Sequence, residues 1–334
     1  MSAAAPPADA VRARPTDALA SWARRNAWTL GLLGLLALLL VITKLIQPSY
    51  GVTGIQGLGI SVLPLALAAV AQAVVVIAGG IDLSIGSMMA LTSVLAAVLM
   101  KGQPEEFGVA VVLGVLLLGL ALGAVNGTLV VLTRVPDIVV TLAMSFVWAG
   151  CALLVLQAPG GGSAAWLKEL ILGSFGNEWV PKAAVVLVVI VALVWVPVRR
   201  SRFGLSLYAI GSNRLAAFRS GVSVGRTKVM AYALMGLFTG FAGLSLIAST
   251  GIGTPVPGPY TLMSVAAVVL GGVSLAGGRG GLFGPIVGVV ILQIIRTDMT
   301  FLNVDTNLAV VAQGAILIGV VMVGSLVQLR RSRP

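Results

Sequence analysis

Long apolar stretches separated by short polar segments run through almost the whole chain. An α-helix needs about 20 apolar residues to cross the ~30 Å hydrocarbon core of a membrane, and ten stretches approach or exceed that length. They cover residues 28–46, 58–78, 84–100, 109–132, 138–157, 181–198, 229–249, 259–276, 281–297 and 307–327. Glycines interrupt or closely join several of them, so we expect some helices to be broken or re-entrant. The pattern predicts an all-α membrane protein with about ten transmembrane helices.

The distribution of basic residues predicts which side of the membrane each loop faces, because cytoplasmic loops are enriched in Lys and Arg. With ten spans and a cytoplasmic N-terminus, sixteen of the 21 Lys and Arg residues fall on the cytoplasmic side. Both termini are therefore predicted to be cytoplasmic. Residues 1–27 and 329–334 would be tails around one membrane domain, residues 28–328, since no loop is long enough to hold a soluble domain.

Composition excludes several classes of protein. Only 9% of the residues are charged and 58% are hydrophobic, whereas soluble domains carry about a quarter charged residues. The net charge of +11 follows from the loop bias, and no basic patch with interleaved aromatic residues indicates nucleic-acid binding. The chain has no histidine and one cysteine, Cys151. These counts exclude a His-based catalytic triad, a His-ligated metal, an intramolecular disulfide and a zinc site.

The stretch from Ser201 to Lys228 is too polar to span the membrane and too long for a simple turn. Asn213 is a favourable N-cap and Gly221 a favourable helix end, which predicts a short helix of about two turns between them. Leu215 and Phe218 lie three residues apart and would share one face of that helix. Two interpretations stay open on these residues alone: docking into a groove on a cytoplasmic partner, or contact with the lipid headgroups.

The segment from Gly79 to Ser87, GGIDLSIGS, places the carboxyl group of Asp82 between two apolar stretches. A carboxylate within the membrane costs roughly 2.5–3.5 kcal/mol on insertion scales. We expect Asp82 and Ser84 to accept hydrogen bonds from the first amides of the following helix, where the helix dipole also favours a negative charge. The same turn is a candidate hinge or gate near a translocation path.

A second glycine-rich segment runs from Gly271 to Pro285. It lacks the Lys followed by Ser or Thr of a Walker A loop, so the energy for transport must come from a partner or a gradient. Close helix packing through small residues is its alternative role. Its beginning resembles the Gly79 segment, which makes the two a candidate internal repeat. The candidate gate or hinge residues of both segments are Gly79, Gly80, Asp82, Ser84, Gly86, Gly271, Gly272, Ser274, Gly277 and Gly278.

Polar side chains inside the predicted spans are candidates for lining a translocation path, because polar groups in a membrane bundle face protein or water. They are Asn126, Thr141, Ser145 and Gln293. Hydrogen bonding between helices is the alternative role of each. A secondary transporter driven by an ion gradient would need acidic or His residues within the spans, and only Asp82 lies near a span interior. A membrane enzyme would need a nucleophile, a base and metal ligands together, and the sequence holds no such constellation.

Three segments together resemble the permease family of bacterial ABC importers for ribose, xylose, galactose and related monosaccharides. Residues 79–87 match the family motif GGIDLS-[IV]-GS, and residues 271–280 resemble its GGxSLxGGxG motif. The segment that begins at Arg202 resembles the family's coupling loop, with RFG, A-[IV]-G-x-N, AA and SG in the same order. The resemblance covers roughly residues 28–328.

This resemblance implies a type II ABC importer-like permease fold and transport of a monosaccharide by alternating access, with no covalent chemistry and no cofactor bound by this chain. ATP and Mg²⁺ would be bound by a cytoplasmic ABC ATPase, with single or tandem domains, that docks on a coupling loop of about residues 199–228. A periplasmic sugar-binding protein would deliver the substrate. A second permease chain, identical or paralogous, would complete the path in the lipid of a bacterial inner membrane. The coupling residues that the motif implies are Arg202, Gly204, Gly211, Asn213, Ala216, Ala217 and Gly221.

The sequence departs from the family pattern at three positions. Ile138 stands where the family usually has Phe, and Pro285 stands where it usually has Thr. Asp137 replaces a residue that is normally uncharged. These departures leave the solute open. Branched-chain amino acids, nucleosides and other small polar solutes are alternatives to a sugar, because related permeases share the architecture.

Overall fold

The computed structural model describes residues 27–256 and 258–305, together with single residues between 308 and 322. The described chain is almost entirely helical. Its helices are α1 (Ala27–Ile46), α2 (Val52–Ile77), α3 (Ile85–Met100), α4 (Phe107–Thr133), α5 (Asp137–Val155), α6 (Ala165–Glu169), α7 (Lys182–Arg200), α8 (Arg202–Ser212), α9 (Arg214–Arg219), α10 (Val224–Thr250), α11 (Tyr260–Leu270) and α12 (Phe283–Phe301). Two strands that were not predicted, β1 (Ser174–Phe175) and β2 (Asn177–Pro181), form an antiparallel hairpin between α6 and α7.

Among the described residues, seven helices are long and apolar enough to cross a membrane, and α3 and α11 are shorter apolar helices. These nine correspond to the first nine predicted spans, which confirms the all-α membrane fold. The tenth predicted span, 307–327, lies outside the continuously described residues.

Helix α2 forms the centre of the bundle. In its apolar window 89% of the residues are buried, against 72% in α10 and 11% in both α1 and α5. The outer helices instead expose apolar side chains, such as Phe146 and Leu154 of α5, which are 72% and 86% exposed. Such a helix has apolar side chains all around it and leaves one side uncovered, so that side is suited to contact lipid or another chain.

Helices α4 and α10 pack closely through glycines. Gly119, Gly123 and Gly127 follow one another at intervals of four residues and therefore lie on one face of α4. A Cβ atom on Gly123 would collide with the carbonyl oxygen of Tyr232, and one on Gly236 with that of Gly119. Small residues bring membrane helices into backbone contact and so increase the dispersion attraction between them.

Helices α3 and α11 are the broken helices that the glycine pattern predicted. Helix α11 has 11 residues and is about 16 Å long at 1.5 Å per residue, roughly half of a ~30 Å core. Helix α3 follows a non-helical segment, residues 78–84. The first turns of the two helices meet, because the amide of Gly86 donates a hydrogen bond to Oγ1 of Thr261 over 2.9 Å. Helix α3, with 16 residues, and the half-length helix α11 thus begin beside each other inside the bundle.

The connections between helices lie at two ends of the bundle. Helices α2, α4, α7 and α11 end, and α5, α10 and α12 begin, at the end that carries α8 and α9, which we call the α9 end. The β-hairpin lies at the opposite end, the hairpin end, where α2 begins and the amide of Gln56 reaches the carbonyl oxygen of Glu178 over 3.0 Å.

The glycine contact between α4 and α10 yields a prediction about stability. Gly123→Val should lower the free energy of unfolding by about 1–3 kcal/mol, the usual cost of overpacking, because the new side chain meets backbone that has nowhere to move. Gly114→Val on the same helix is the control, since a Cβ at Gly114 meets nothing within 4 Å. Unfolding titrations in detergent measure both variants, and equal destabilisation would contradict the packing explanation.

Candidate functional site

The predicted short helix is present at the α9 end as α9. Oδ1 of Asn213 accepts a hydrogen bond from the amide of Ala216 over 2.9 Å, which caps the helix start as predicted. At the helix end, the amide of Gly221 donates to the carbonyl oxygen of Phe218, and that of Val222 to the carbonyl oxygen of Ala217, both over 3.0 Å. Gly221 has φ +84°, so this is a Schellman ending that requires a left-handed residue.

Helix α9 presents one buried and one exposed face. Ala217 is only 5% exposed, whereas Leu215 and Phe218 are 58% and 66% exposed. The exposed pair borders a groove of about 580 Å³ that also includes Val131 and Val224. Arg214 and Ser223 add polar groups to a lining that is otherwise apolar, and no described part of the chain occupies the groove. A docking helix requires such an open apolar surface.

Helix α8 precedes α9 and was not predicted as a helix. Oγ of Ser201 caps it by accepting a hydrogen bond from the amide of Gly204 over 3.2 Å. A Cβ atom on Gly204 would overlap the carbonyl oxygen of Val198, so glycine lets α8 fold back tightly on α7. The hydroxyl of Tyr208 donates to the carbonyl oxygen of Gly280 over 3.0 Å. Burial raises the pKa of this hydroxyl, partly offset by Arg199, so it stays a donor.

Three candidate segments meet backbone to backbone at the end of α8. A Cβ atom on Gly211 would overlap the carbonyl oxygen of Ile77, and one on Gly277 would lie 2.8 Å from Cα of Gly79. The amide of Gly278 donates to the carbonyl oxygen of Ile77 over 2.9 Å. We call this contact of Gly79, Gly211, Gly277 and Gly278 the glycine junction. It joins the coupling segment to both gate segments with no side chain between them.

The two gate segments begin with the same kind of helix end. After α2, the amides of Gly79 and Gly80 donate to the carbonyl oxygens of Val76 and Val75, and Gly79 has φ +79°. After α11, Gly272 occupies the equivalent left-handed position with φ +76°. Gly79 therefore corresponds to Gly272, one residue away from the alignment that the sequence suggested. The two segments are therefore alike in that each begins with a Schellman ending.

Asp82 lies fully buried at the centre of a polar network. Its Oδ1 accepts hydrogen bonds from the amide and the hydroxyl of Ser84, each over 2.6 Å. Nδ2 of Asn126 donates to Oγ of Ser84 over 2.7 Å and to Oδ2 of Asp82 over 3.2 Å. Oδ1 of Asn126 in turn accepts from the indole of Trp148 over 3.1 Å. Every hydrogen bond lowers the penalty of holding a carboxylate away from water.

The predicted capping by Ser84 was wrong. Ser84 occupies the N-cap position of α3, but its side chain makes no capping hydrogen bond because its hydroxyl donates to Asp82 instead. Asp82 binds the amide of the N-cap residue itself, just before the helix begins. The amide of Gly86, in the first turn of the helix, is satisfied by Thr261 from α11. The start of α3 is thus capped by a side chain from another helix, which reasoning about the sequence of one segment could not find.

Asp137, the departure from the family pattern, forms a buried ion pair. Its Oδ1 lies 2.7 Å from Nζ of Lys228, and its Oδ2 accepts from the hydroxyl of Tyr232 over 2.9 Å. The side chains of Asp137 and Lys228 are only 15% and 11% exposed. A Cβ atom on Gly80 would collide with Oδ2 of Asp137. The pair thus ties the start of α10, just after α9, to the start of α5 and to the α2–α3 turn.

The four predicted path residues are not brought together. Asn126 and Thr141 both contact the α2–α3 segment, where Oγ1 of Thr141 accepts from the amide of Leu83 over 3.0 Å. Ser145 is half-buried and donates to the carbonyl oxygen of Leu142 in its own helix. Gln293 lies far along α12, in a pocket at the hairpin end.

The remaining candidates occupy ordinary positions in these segments. Arg202 and Ala216 are exposed, and the amide of Ser274 closes its loop on the carbonyl oxygen of Arg279 over 3.1 Å. Gly271 packs against the backbone at Pro285, so the departure from Thr at that position concerns helix contact.

Sequence reasoning missed a second acid within a span. Asp298 was placed in an outer loop, but α12 continues to Phe301 and buries it at 7% exposure. Its Oδ1 has no hydrogen-bond partner in the described chain. Asp82 is therefore not the only acid within the bundle. The charges of Arg296 and Asp298 near the end of α12 obscured the helix end in the hydropathy pattern.

Comparisons with known proteins identify relatives over most of the chain. A family model described as "Branched-chain amino acid transport system / permease component" matches residues 54–321. The chain is 29% identical over 305 residues to the ribose import permease protein of Escherichia coli (strain K12), an alignment that covers 89% of this chain and 94% of the relative. It is 33% identical over 288 residues to the ribose import permease protein of Bacillus subtilis (strain 168), covering 85% and 88%.

A third relative transports a different sugar by its name. The chain is 32% identical over 276 residues to the galactose/methyl galactoside import permease protein of Escherichia coli (strain K12), which covers 77% of this chain and 81% of the relative. No solved structure matches the chain.

The buried ion pair yields a prediction that a double-variant cycle tests. Lys228→Met should lower the free energy of unfolding by about 3–5 kcal/mol, because it leaves the carboxylate of Asp137 buried without its counter-charge. Asp137→Asn combined with Lys228→Met should recover most of that loss, since the amide keeps a partner in Tyr232. Unfolding titrations in detergent measure the single and double variants. A double variant no more stable than Lys228→Met would show that charge pairing is not what the site requires.

Proposed function

The chain belongs to the branched-chain amino acid transport system permease family, and on that premise we propose that it is the membrane-spanning permease subunit of an ATP-binding cassette importer for a monosaccharide. The relatives named for their substrates support the sugar: they import ribose, allose, fructose and galactose. The family description, which names branched-chain amino acids, supplies the second candidate solute.

The observation that carries this proposal is the direct contact between the coupling segment and both gate segments. Helix α9 exposes an apolar pair, Leu215 and Phe218, beside a groove, and the ATPase of the importer docks there. Only Asn213 separates α9 from α8, and α8 ends in the glycine junction. A displacement of α9 therefore reaches the α2–α3 turn and the α11–α12 loop through packed backbone.

Transport then proceeds by alternating access. ATP-driven closure of the ATPase subunits pushes on α9, and the helices move as packed units because cores and interfaces have discrete arrangements. The gate residues change position beside α3 and α11, the two helices whose first turns meet at Gly86 and Thr261. The Asp137–Lys228 pair carries the same movement from α10 to α5.

This chain performs no covalent chemistry in the proposal. ATP and Mg²⁺ belong to the partner ATPase, since the sequence has no Walker A lysine. A periplasmic sugar-binding protein delivers the substrate at the hairpin end. A second permease chain, identical or paralogous, covers the exposed apolar face of α5 that carries Phe146 and Leu154.

The proposed orientation places α9 in the cytoplasm and the hairpin outside. In a Cys151→Ala background, Glu178→Cys should react with an impermeant thiol reagent added to intact cells, and Arg219→Cys should react only after permeabilisation. Both positions are exposed, unlike Gly161, which packs against Ala97. The reversed pattern of labelling would put α9 outside and remove the basis for ATPase docking.

The docking surface on α9 yields a prediction about assembly. Phe218→Asp should reduce co-purification of the importer's ATPase and abolish sugar uptake, because a charge replaces an exposed apolar anchor. Phe175→Asp at the hairpin end is the matched control, since Phe175 is similarly exposed, at 64%, and should leave ATPase co-purification unchanged. Ala217→Glu and Gly221→Val should also abolish uptake, by unseating α9 and straining its end. Wild-type uptake and ATPase binding in all of the α9 variants would reduce α9 to a membrane-surface element.

A further inference from the structure

A pocket of about 460 Å³ lies at the hairpin end between α2, α10, α11 and α12. That volume falls within the range of about 300–1,000 Å³ that is typical of small-ligand sites. The last turns of α10 and α12 line it, together with Tyr260, the first residue of the half-helix α11. The pocket therefore extends from the end of the bundle to the break in a membrane helix.

The serine and threonine hydroxyls that line this pocket have already donated their protons. Ser61 and Ser249 donate to the carbonyl oxygens of Gly57 and Leu246 over 2.7 and 2.8 Å. The same holds for three threonines, which donate one turn back over 2.9–3.0 Å: Thr250, Thr297 and Thr300. A hydroxyl that donates its single proton still has lone pairs to accept with. Four of them, Ser61, Ser249, Thr297 and Thr300, consequently offer a ligand acceptors, whereas the oxygen of Thr250 also accepts from the amide of Ile252 over 3.5 Å.

Gln293 adds a buried acceptor that lacks a partner. Its Nε2 donates to the carbonyl oxygen of Ser61 over 2.8 Å, and because a carbonyl oxygen can only accept, this contact fixes which end of the amide points away. The other end, Oε1, is buried with no hydrogen-bond partner in the described chain, and the residue is 8% exposed. A buried polar atom left unpaired costs about 1–3 kcal/mol, which a ligand donor would recover.

Arg296 is the charged donor of the pocket. It makes no salt bridge with any residue that the structure describes. The planar guanidinium presents a fork of donors, so it fits two oxygen atoms on adjacent carbons. The pocket thus combines a surface of acceptors with two kinds of donor, the guanidinium and the hydroxyl of Tyr260. A ring whose every hydroxyl both donates and accepts complements it.

One residue that lines the pocket is the chain neighbour of a residue that bonds the candidate gate segment. Tyr260 lines the pocket, and the next residue, Thr261, accepts from the amide of Gly86 at the start of α3. Gly86 follows the Asp82–Ser84 turn by two residues. A ligand in the pocket therefore contacts α11, the same helix that binds the gate segment.

We propose that this pocket binds an uncharged polyhydroxylated ring of monosaccharide size. The proposal rests on the proposed import of a monosaccharide and adds the site that receives the sugar. Selectivity comes from the spread of the acceptors over α2, α10 and α12: hydroxyls around a ring donate at several points, whereas the ammonium group of a branched-chain amino acid donates at one.

Saturation-transfer NMR on the purified full-length chain in lipid nanodiscs tests the pocket, with D-galactose and D-ribose as probes at millimolar concentrations. Gln293→Met, Thr297→Val and Arg296→Met should each weaken binding by about fivefold or more, the loss expected for one hydrogen bond. Thr297→Val keeps the shape of the side chain, so it remains informative if Gln293→Met folds poorly. Gln103→Met makes the same chemical change as Gln293→Met at an exposed site outside the pocket and should bind like wild type.

Two outcomes would overturn the proposed sugar site directly: no binding of either sugar to the wild-type chain, or unchanged affinity in all three pocket variants. A third is tighter binding of D-galacturonate than of D-galactose, which would identify an anion site at Arg296. Co-purification of the ATPase with the wild-type chain is measured on the same preparation. Loss of this co-purification would overturn the proposed function. Sugar binding that is weakened in the pocket variants would support the pocket independently of that result.

Discussion

Backbone atoms of Gly211 lie against those of Gly79 and Gly277 with no side chain between them, and the arrangement of the α9 end depends on this contact. It holds the end of α8 against the segment that precedes α3 and the segment that follows α11. Because interiors are close-packed, a displacement cannot be absorbed at such a contact by a change of rotamer. The Schellman endings at Gly79 and Gly272 make the approach possible, since each lets a helix stop and turn within two residues.

Polar groups surround this contact in two separate networks, one on each side of the α2–α3 turn. Asp82, Ser84, Asn126 and Trp148 form a hydrogen-bonded chain that reaches α5 about 16 Å from its start, because Trp148 lies eleven residues along that helix. Asp137 and Lys228 form the other, nearer the α9 end. In a medium of low dielectric constant both networks are strong only while every member keeps its partner. They therefore favour discrete positions of α5 and α10 over a continuum.

The sequence predicted what depends on local signals. Asn213 and Gly221 mark the ends of α9 because capping involves residues three or four positions away, and the glycine-rich segments indicated broken helices. Asp137 appeared only as a departure from a motif, because Lys228 lies 91 residues further along the chain. Gln293 was a candidate path residue because it is polar and lies in a predicted span, but its unpaired oxygen follows from a contact with Ser61, 232 residues away. Partners at such separations are set by helix packing, which hydropathy does not encode.

A contact made of three glycines also limits how the chain can diverge. A methyl group at Gly211 would require two segments, more than 60 and more than 130 residues away, to retreat together, and no single substitution elsewhere supplies both movements. Compensation would need several coordinated changes, each harmful before the others are present. The pocket at the hairpin end carries no such restriction, because its threonines exchange for other residues without touching the backbone of a neighbour. The two ends of the bundle thus differ in how freely their residues can be replaced.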